Sequence, residues 1–185
     1  MIVTLSGITG VGKSYFKKCI INELNFNNIP VVTTREKREK EKNGIDKHFV
    51  SKKEFDELKQ QGKIVVDFNF LDNEYAYYKD DLISSGNGVT ELHYDTIYEF
   101  KKFANNLLSI YIIPTSIEIA KKQLYKRNLK PNVIKLRLRE IEEQYEEFKN
   151  NNDLQKQFKY ILYNDYTENT KNKLLEIIRK ELVYA

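Results

Sequence analysis

The chain has 185 residues, 41% hydrophobic and 31% charged, which supplies one sizeable core and excludes a disordered or fibrous protein. Its net charge of +4 arises from 31 basic and 27 acidic residues interleaved along the chain, a balance that argues against a nucleic-acid binder and suits small polyanions. Cys19 stands alone, so no intrachain disulfide can form, and neither a signal-peptide pattern nor a run of ~20 apolar residues is present, which makes the cytoplasm the expected location.

In chain order, Ile2 to Leu5 is a short apolar run ending near glycine and reads as a buried parallel strand. Residues 7–14 form a glycine-rich turn, and Phe16, Cys19, Ile20 and Leu24 then recur at helical spacing over 13–25, with Cys19 expected as a small buried hydrophobe. Pro30 to Thr34 reads as a second strand. Ser51 followed by Glu54 is a capping-box pattern, predicting a helix over 51–61. From Ile64 to Tyr78 the residues are β-branched and aromatic, broken at Asp72-Asn73, which predicts a hairpin. Strands are expected again at Val89–Leu92, Leu108–Ile113 and Tyr160–Tyr163, and helices at 94–103, 116–126, 132–149 and 168–182. Alternation at this spacing implies an α/β protein, a parallel sheet flanked by helices. Segments 35–43 and 127–133 are expected to be mobile excursions, and no internal repeat is visible.

Gly7 to Ser14, GITGVGKS, matches G-x-x-x-x-G-K-[ST] in full, after a strand and at a helix start. A triphosphate needs many donors in little space. Gly7, Thr9, Gly10, Val11 and Gly12 would curl backbone N–H groups around its oxygens, aided by the helix dipole. Lys13 is expected at the β- and γ-phosphates of ATP and Ser14 on Mg²⁺.

The next block carries more specific information. Thr33-Thr34-Arg35-Glu36-Lys37-Arg38, continuing through Glu41, Gly44, Asp46 and Phe49-Val50-Ser51, resembles the guanylate kinase pattern T-T-R-x-x-R-x-x-E-x-x-G-x-D-Y-x-F-V-S. The similarity runs nearly end to end. It implies a P-loop NTPase-type core (1–33, 89–124 and 140–185), a small mixed α/β acceptor-binding excursion (34–88) and a helical lid (125–139), all within one domain. It also implies transfer of the ATP γ-phosphoryl to a nucleoside monophosphate, GMP first, with Mg²⁺ as cofactor and small-molecule nucleotides as partners. Arg35 and Arg38 would clamp the acceptor phosphate, where a bidentate guanidinium suits the task better than an ammonium. Glu41 continues the acceptor block, Tyr75 would donate to the same phosphate, and Glu91 would organise water around Mg²⁺. Arg127 and Arg137 resemble lid arginines that close on the transferring group, and Asn164 resembles the asparagine after the last strand, at the ATP site.

The resemblance breaks where the family reads guanine, through an acidic side chain and a hydroxyl beside the hairpin. The acid's position is occupied by Val66, with Asp67 following, and the hydroxyl's by the bulkier Tyr77; either Asp67 replaces the acid after a one-residue shift or that contact is gone, and Asp67 and Tyr77 are the expected acceptor-site residues. A serine before Thr-Thr-Arg becomes Val31, a tyrosine before Phe49 becomes Lys47, and an aspartate two residues after Glu91 becomes His93. His93 and His48 are expected to be structural. Three activities stay open: phosphorylation of GMP, phosphorylation of another nucleoside monophosphate or a ribose bisphosphate, and non-catalytic binding of nucleotide or phosphopeptide. The oligomeric state is not legible, and neither nucleic acid nor a membrane is expected as a partner.

Overall fold

The computed structural model describes residues 1–84, 86–127 and 129–183. Five parallel strands form the main sheet in the order β2-β7-β1-β8-β9: β1 (Ile2–Gly7), β2 (Asn27–Asn28), β7 (Gly88–Glu91), β8 (Leu107–Pro114) and β9 (Tyr160–Asn164). A second, mixed sheet runs β4-β3-β6-β5, built from β3 (Val31–Thr33), β4 (Lys47–Phe49), β5 (Ile64–Phe70) and β6 (Asn73–Tyr78). β3 is parallel to β4 and antiparallel to β6. The strand expected at 30–34 thus belongs to this smaller sheet, and the main sheet's edge is instead the two-residue β2.

Side-chain alternation along the central strands sorts the core into two faces. Val3 and Leu5 of β1, with Leu108, Ile110 and Ile112 of β8, pack on one side with Phe16 and Ile20 of α1 (Lys13–Leu24) and Leu174, Leu175 and Ile178 of α8 (Glu168–Val183). Ala120 and Leu124 of α5 (Ile117–Tyr125) and Ile141 of α6 (Pro131–Asn150) close the same side. On the other face Tyr111 and Ile113 meet Phe148 of α6 and Phe158, together with Ile97 and Phe100 of α4 (Ile97–Lys101). The helix expected over 94–103 divides into a 3₁₀ turn, Tyr94–Thr96, and α4.

The capping box forms as expected on α2 (Lys52–Gln60): Ser51 Oγ accepts from the Glu54 N–H, and Glu54 accepts from the Ser51 N–H. The hairpin also forms, with Leu71 and Asp72 both left-handed (φ 49° and 57°), the conformation a two-residue turn between twisted strands requires. Two short helices, α3 (Lys79–Ser84) and α7 (Asn152–Gln155), lack enough turns to show a helical period. α6 starts at Pro131 and continues unbroken past 139, so the expected lid end falls inside one helix. Cys19 is half-buried on α1 rather than fully enclosed.

Candidate active site

β1 is the middle strand, and the chain leaves its C-terminal end through residues 7–12 into α1, at the point where parallel α/β sheets bind ligands. Gly12 caps α1 with φ 96°, a left-handed conformation that costs a glycine little. Gly7 is constrained by space: a Cβ there would stand 2.2 Å from the Ile112 carbonyl oxygen. The Lys13 ammonium curls over the loop and donates to the carbonyls of Gly7 (2.6 Å) and Ile8 (3.0 Å). Burial lowers its pKa to about 8 against the pull of Glu91. Ser14 Oγ donates to Glu91 Oε1 at 2.8 Å.

The loop is braced from β9. Asn164 Nδ2 donates to the Val11 carbonyl at 2.9 Å, its Oδ1 accepts from the Tyr166 N–H, and the Tyr166 hydroxyl donates to the Gly10 carbonyl at 3.2 Å. Asn164 therefore lines the site with its amide already engaged in holding the loop. The Val11 side chain is fully buried beneath the loop, so Val11 offers the site only its backbone.

One cleft of about 900 Å³ runs from the loop to the smaller sheet, at the upper end of the roughly 300–1,000 Å³ usual for ligand sites. It brings together Gly7, Thr9, Gly10, Gly12, Lys13, Ser14, Arg35, Arg38, Glu41, Tyr75, Glu91, Arg127, Arg137 and Asn164. The cations share one field. Burial lowers the pKa of Arg38, and Arg35, Arg127 and Arg137 add to that; burial and Arg137 likewise lower Arg127. Glu91 is opposed by burial, but Lys17, Lys13 and Lys47 outweigh it and hold the carboxyl below its ordinary pKa.

The expected mobile segment 35–43 is tied internally, chiefly through Glu41. Arg35 Nη2 donates to both Glu41 oxygens at 2.7 and 2.9 Å, and Glu41 also accepts from the Arg38 N–H at 2.9 Å. Burial works against the Glu41 charge, yet these contacts win and its pKa falls. Arg137 pairs with Glu140 at 3.0 Å and lies 5.2 Å from the Phe70 ring centroid, a cation–π contact beside the cleft.

Two expected base contacts are corrected. Asp67 is exposed and ion-paired with Lys59 of α2, outside the cleft. Strict alternation from Val65 would put Asp67 on the Tyr75 face. A bulge instead makes Val66 and Asp67 together oppose Ala76, so Val65 pairs with Tyr77 and Phe68 with Tyr75. Val66 adopts φ 56°, rare for a β-branched residue, and its side chain takes the buried place while Asp67 turns out. Tyr77 is wholly buried in the core, its hydroxyl donating to the Glu91 carbonyl at 2.8 Å. The phenol fills the space against Phe100 (centroids 5.2 Å apart) rather than facing a ligand.

What faces the cleft along the hairpin is aromatic: Phe68 stacks on Tyr75 (5.2 Å, 14°), and His93 lies 5.5 Å from Phe68, 5.1 Å from Phe70 and 4.7 Å from Tyr94. Burial drops the His93 pKa to about 4, with Lys13 adding, so the ring is neutral near pH 7. Sequence reasoning did not place Phe68, Phe70, Tyr94 or His93 at the site. The period-two pattern Phe68-Asn69-Phe70 carried a signal, but it pointed to a hairpin face rather than to a ligand. His48, in contrast, lies beside Asp81 (3.6 Å) and Tyr78 in the smaller sheet, as a structural residue does.

A phosphate-binding loop between the central parallel strand and its helix, facing a cationic cleft, defines a P-loop nucleotide-binding protein of the kinase type. Comparison with known proteins narrows the class. The family model described as guanylate kinase matches residues 1–181. The guanylate kinase of Mycoplasmopsis synoviae is 34% identical, covering 98% of this chain and 95% of that protein, and that of Rickettsia felis is 31% identical, covering 98% and 94%. The crystal structure of guanylate kinase from Anaplasma phagocytophilum superposes with a TM-score of 0.73 over 98% of this chain and 85% of that one, at 22% identity, a likeness of fold. The chain belongs to the guanylate kinase family.

Proposed function

We propose that the protein is an ATP-dependent nucleoside monophosphate kinase, with GMP as its first acceptor. The observation that carries this reading is the continuous cleft joining the P-loop to Arg38, Arg127 and Arg137. Phosphoryl transfer between two phosphates needs positioning and charge neutralisation and no proton acceptor, because the attacking oxygen is already ionised. In this reading the backbone of residues 7–12 and Lys13 hold the β- and γ-phosphates, and Arg127 and Arg137 neutralise the equatorial oxygens of the transferring group. Arg35, Arg38 and Tyr75 orient the acceptor phosphate in line, with Glu41 fixing the arginine loop.

The donor set fits Mg²⁺ carried in with the nucleotide. The Ser14 hydroxyl and the depressed Glu91 carboxylate lie together at the loop, while the described residues include no cluster of three His, Cys, Asp or Glu side chains. Magnesium prefers a few oxygen ligands plus phosphates and water over an all-protein cage. When bound it would supply charge neutralisation to the triphosphate. The division into core, acceptor region and lid follows the same reading, with residues 125–139 closing from the side of α5 and α6. None of the described helices is long and apolar enough to cross a membrane, and we place the enzyme with its nucleotides in the cytoplasm.

A second reading is favoured by one observation: Asp67 and Tyr77 face away from the cleft. It is a kinase of the same fold for another phosphorylated acceptor. Incubation with Mg·ATP and, separately, GMP, dGMP, IMP, AMP, CMP, UMP and ribose 1,5-bisphosphate, followed by ADP release, decides between them. Turnover with GMP, abolished by Lys13→Ala, is the expected result. Turnover confined to another acceptor selects the second reading, and near-full turnover in Lys13→Ala overturns the phosphate site itself.

A further inference from the structure

Arg35 is already largely occupied. Besides the two bonds to Glu41, its Nη1 donates to the Glu36 carbonyl at 2.7 Å, and its guanidinium carbon lies 5.4 Å from the Phe49 ring centroid. These contacts shape the loop over 35–41 and take most of the donors expected at the acceptor phosphate.

Lys47 is in the opposite condition. It lies on β4, paired in register with Val31 of β3, and both residues line the cleft. Its ammonium makes neither a hydrogen bond nor an ion pair with any described residue, although Glu91, Lys17, Arg35 and Glu41 all act on it electrostatically. Removing an ammonium from water without a partner is unfavourable, and burial pulls the Lys47 pKa below its ordinary value. The nearby acids do not relieve it. Glu91 accepts from Ser14 and lies 3.8 Å from Lys17, and Glu41 is held by Arg35 and the Arg38 N–H. Lys47 shares its cleft with Glu91 of the P-loop end and Glu41 of the arginine loop, the stretch that an acceptor phosphate would occupy in the kinase reading.

We propose that Lys47 is a direct ligand of the acceptor phosphate, sharing it with Arg38 and with the donors that Arg35 has left beside Glu41. This rests on the kinase reading given above. A lysine suits the place because its three donors rotate about a compact charge and can follow a phosphate oxygen as it changes partners.

The test compares wild type with Lys47→Met, Lys47→Gln and Lys47→Arg, measuring KM for GMP, KM for ATP and kcat, with guanosine as a competitive inhibitor that lacks the phosphate. Loss of one hydrogen bond between charged groups should raise KM for GMP roughly tenfold to a hundredfold in the Met and Gln variants. KM for ATP and inhibition by guanosine should stay at wild-type values, and Lys47→Arg should recover much of the loss. An unchanged KM for GMP in folded variants, or equal weakening of GMP and guanosine, would overturn the role of Lys47 and leave the kinase reading standing. Absence of GMP turnover in the wild type would instead sink the reading and this assignment with it. The Gln variant keeps the result decisive if Lys47→Met folds poorly.

Discussion

His93 converts its burial into a pH-dependent stability that a single substitution should remove. Its ring lies among Phe68, Phe70 and Tyr94, its side chain is 18% exposed, and its pKa falls from 6.5 to about 4. A native pKa below the unfolded one means that the unfolded chain binds the proton more readily. Stability is then full above pH 6.5, falls as the pH drops from 6.5 towards 4, and is level below that. Between pH 7 and pH 5 this linkage amounts to about 2 kcal/mol. That is an upper value, because Asp95 Oδ2 lies 3.4 Å from Nδ1 and favours the charged ring. In His93→Phe the aromatic contacts persist and the titration is lost. Urea denaturation at pH 7, 6 and 5 should show wild type losing stability relative to the variant by that order across the window. Parallel pH profiles for the two proteins would refute the burial argument.

Other substitutions separate structural from ligand-facing groups. Tyr77→Phe leaves the Glu91 carbonyl without its donor and should cost about 1–2 kcal/mol in urea denaturation with KM for GMP unchanged; a raised KM at full stability would return Tyr77 to the acceptor site. Asp67→Asn should leave KM for GMP unchanged, since it loses only an exposed pair with Lys59; a selective loss of GMP against AMP would show that Asp67 reaches the base. Gly7→Ala forces a Cβ to within 2.2 Å of the Ile112 carbonyl at φ 140°, so thermal melting should fall by the equivalent of about 1–3 kcal/mol and ATP binding should be lost. The Lys13 ammonium, lowered to about 8 by burial, gains an anionic partner when triphosphate binds. Above pH 8, ATP binding should therefore take up protons and weaken by up to about tenfold per pH unit; calorimetry in buffers of different ionisation enthalpy measures the uptake, and none at pH 8.5 would contradict it.

The parts legible in the sequence are those in which local chemistry alone determines the structure. A P-loop needs its glycines and its Lys-Ser at fixed spacing, and Ser51 with Glu54 satisfies two helix-end donors within four residues, so both appear as expected. The loop end of the cleft was readable for the same reason. Its other end was not, because three facts there depend on tertiary neighbours. Asp67 is turned out by a bulge that no local preference announces at Val65-Val66, and Tyr77 is committed to a carbonyl on another sheet. Lys47 is visible in the sequence only as a departure from the family's tyrosine, and the pairing of β4 with β3 is what brings it to the cleft.

The bulge at Val66 and Asp67 makes strand register a variable in its own right. Two residues answer one across the ladder, so every side chain beyond them has its facing set by that extra residue. Deleting Val66 or Asp67 would restore plain alternation and leave Val65 opposite Tyr77 and Phe68 opposite Tyr75. Closing the bulge at full length would instead turn Phe68 and Phe70 out of the cleft and bring in their polar neighbours Asp67 and Asn69. Substitution changes one group in such a pocket, whereas a one-residue slip exchanges an entire wall with no change at the P-loop.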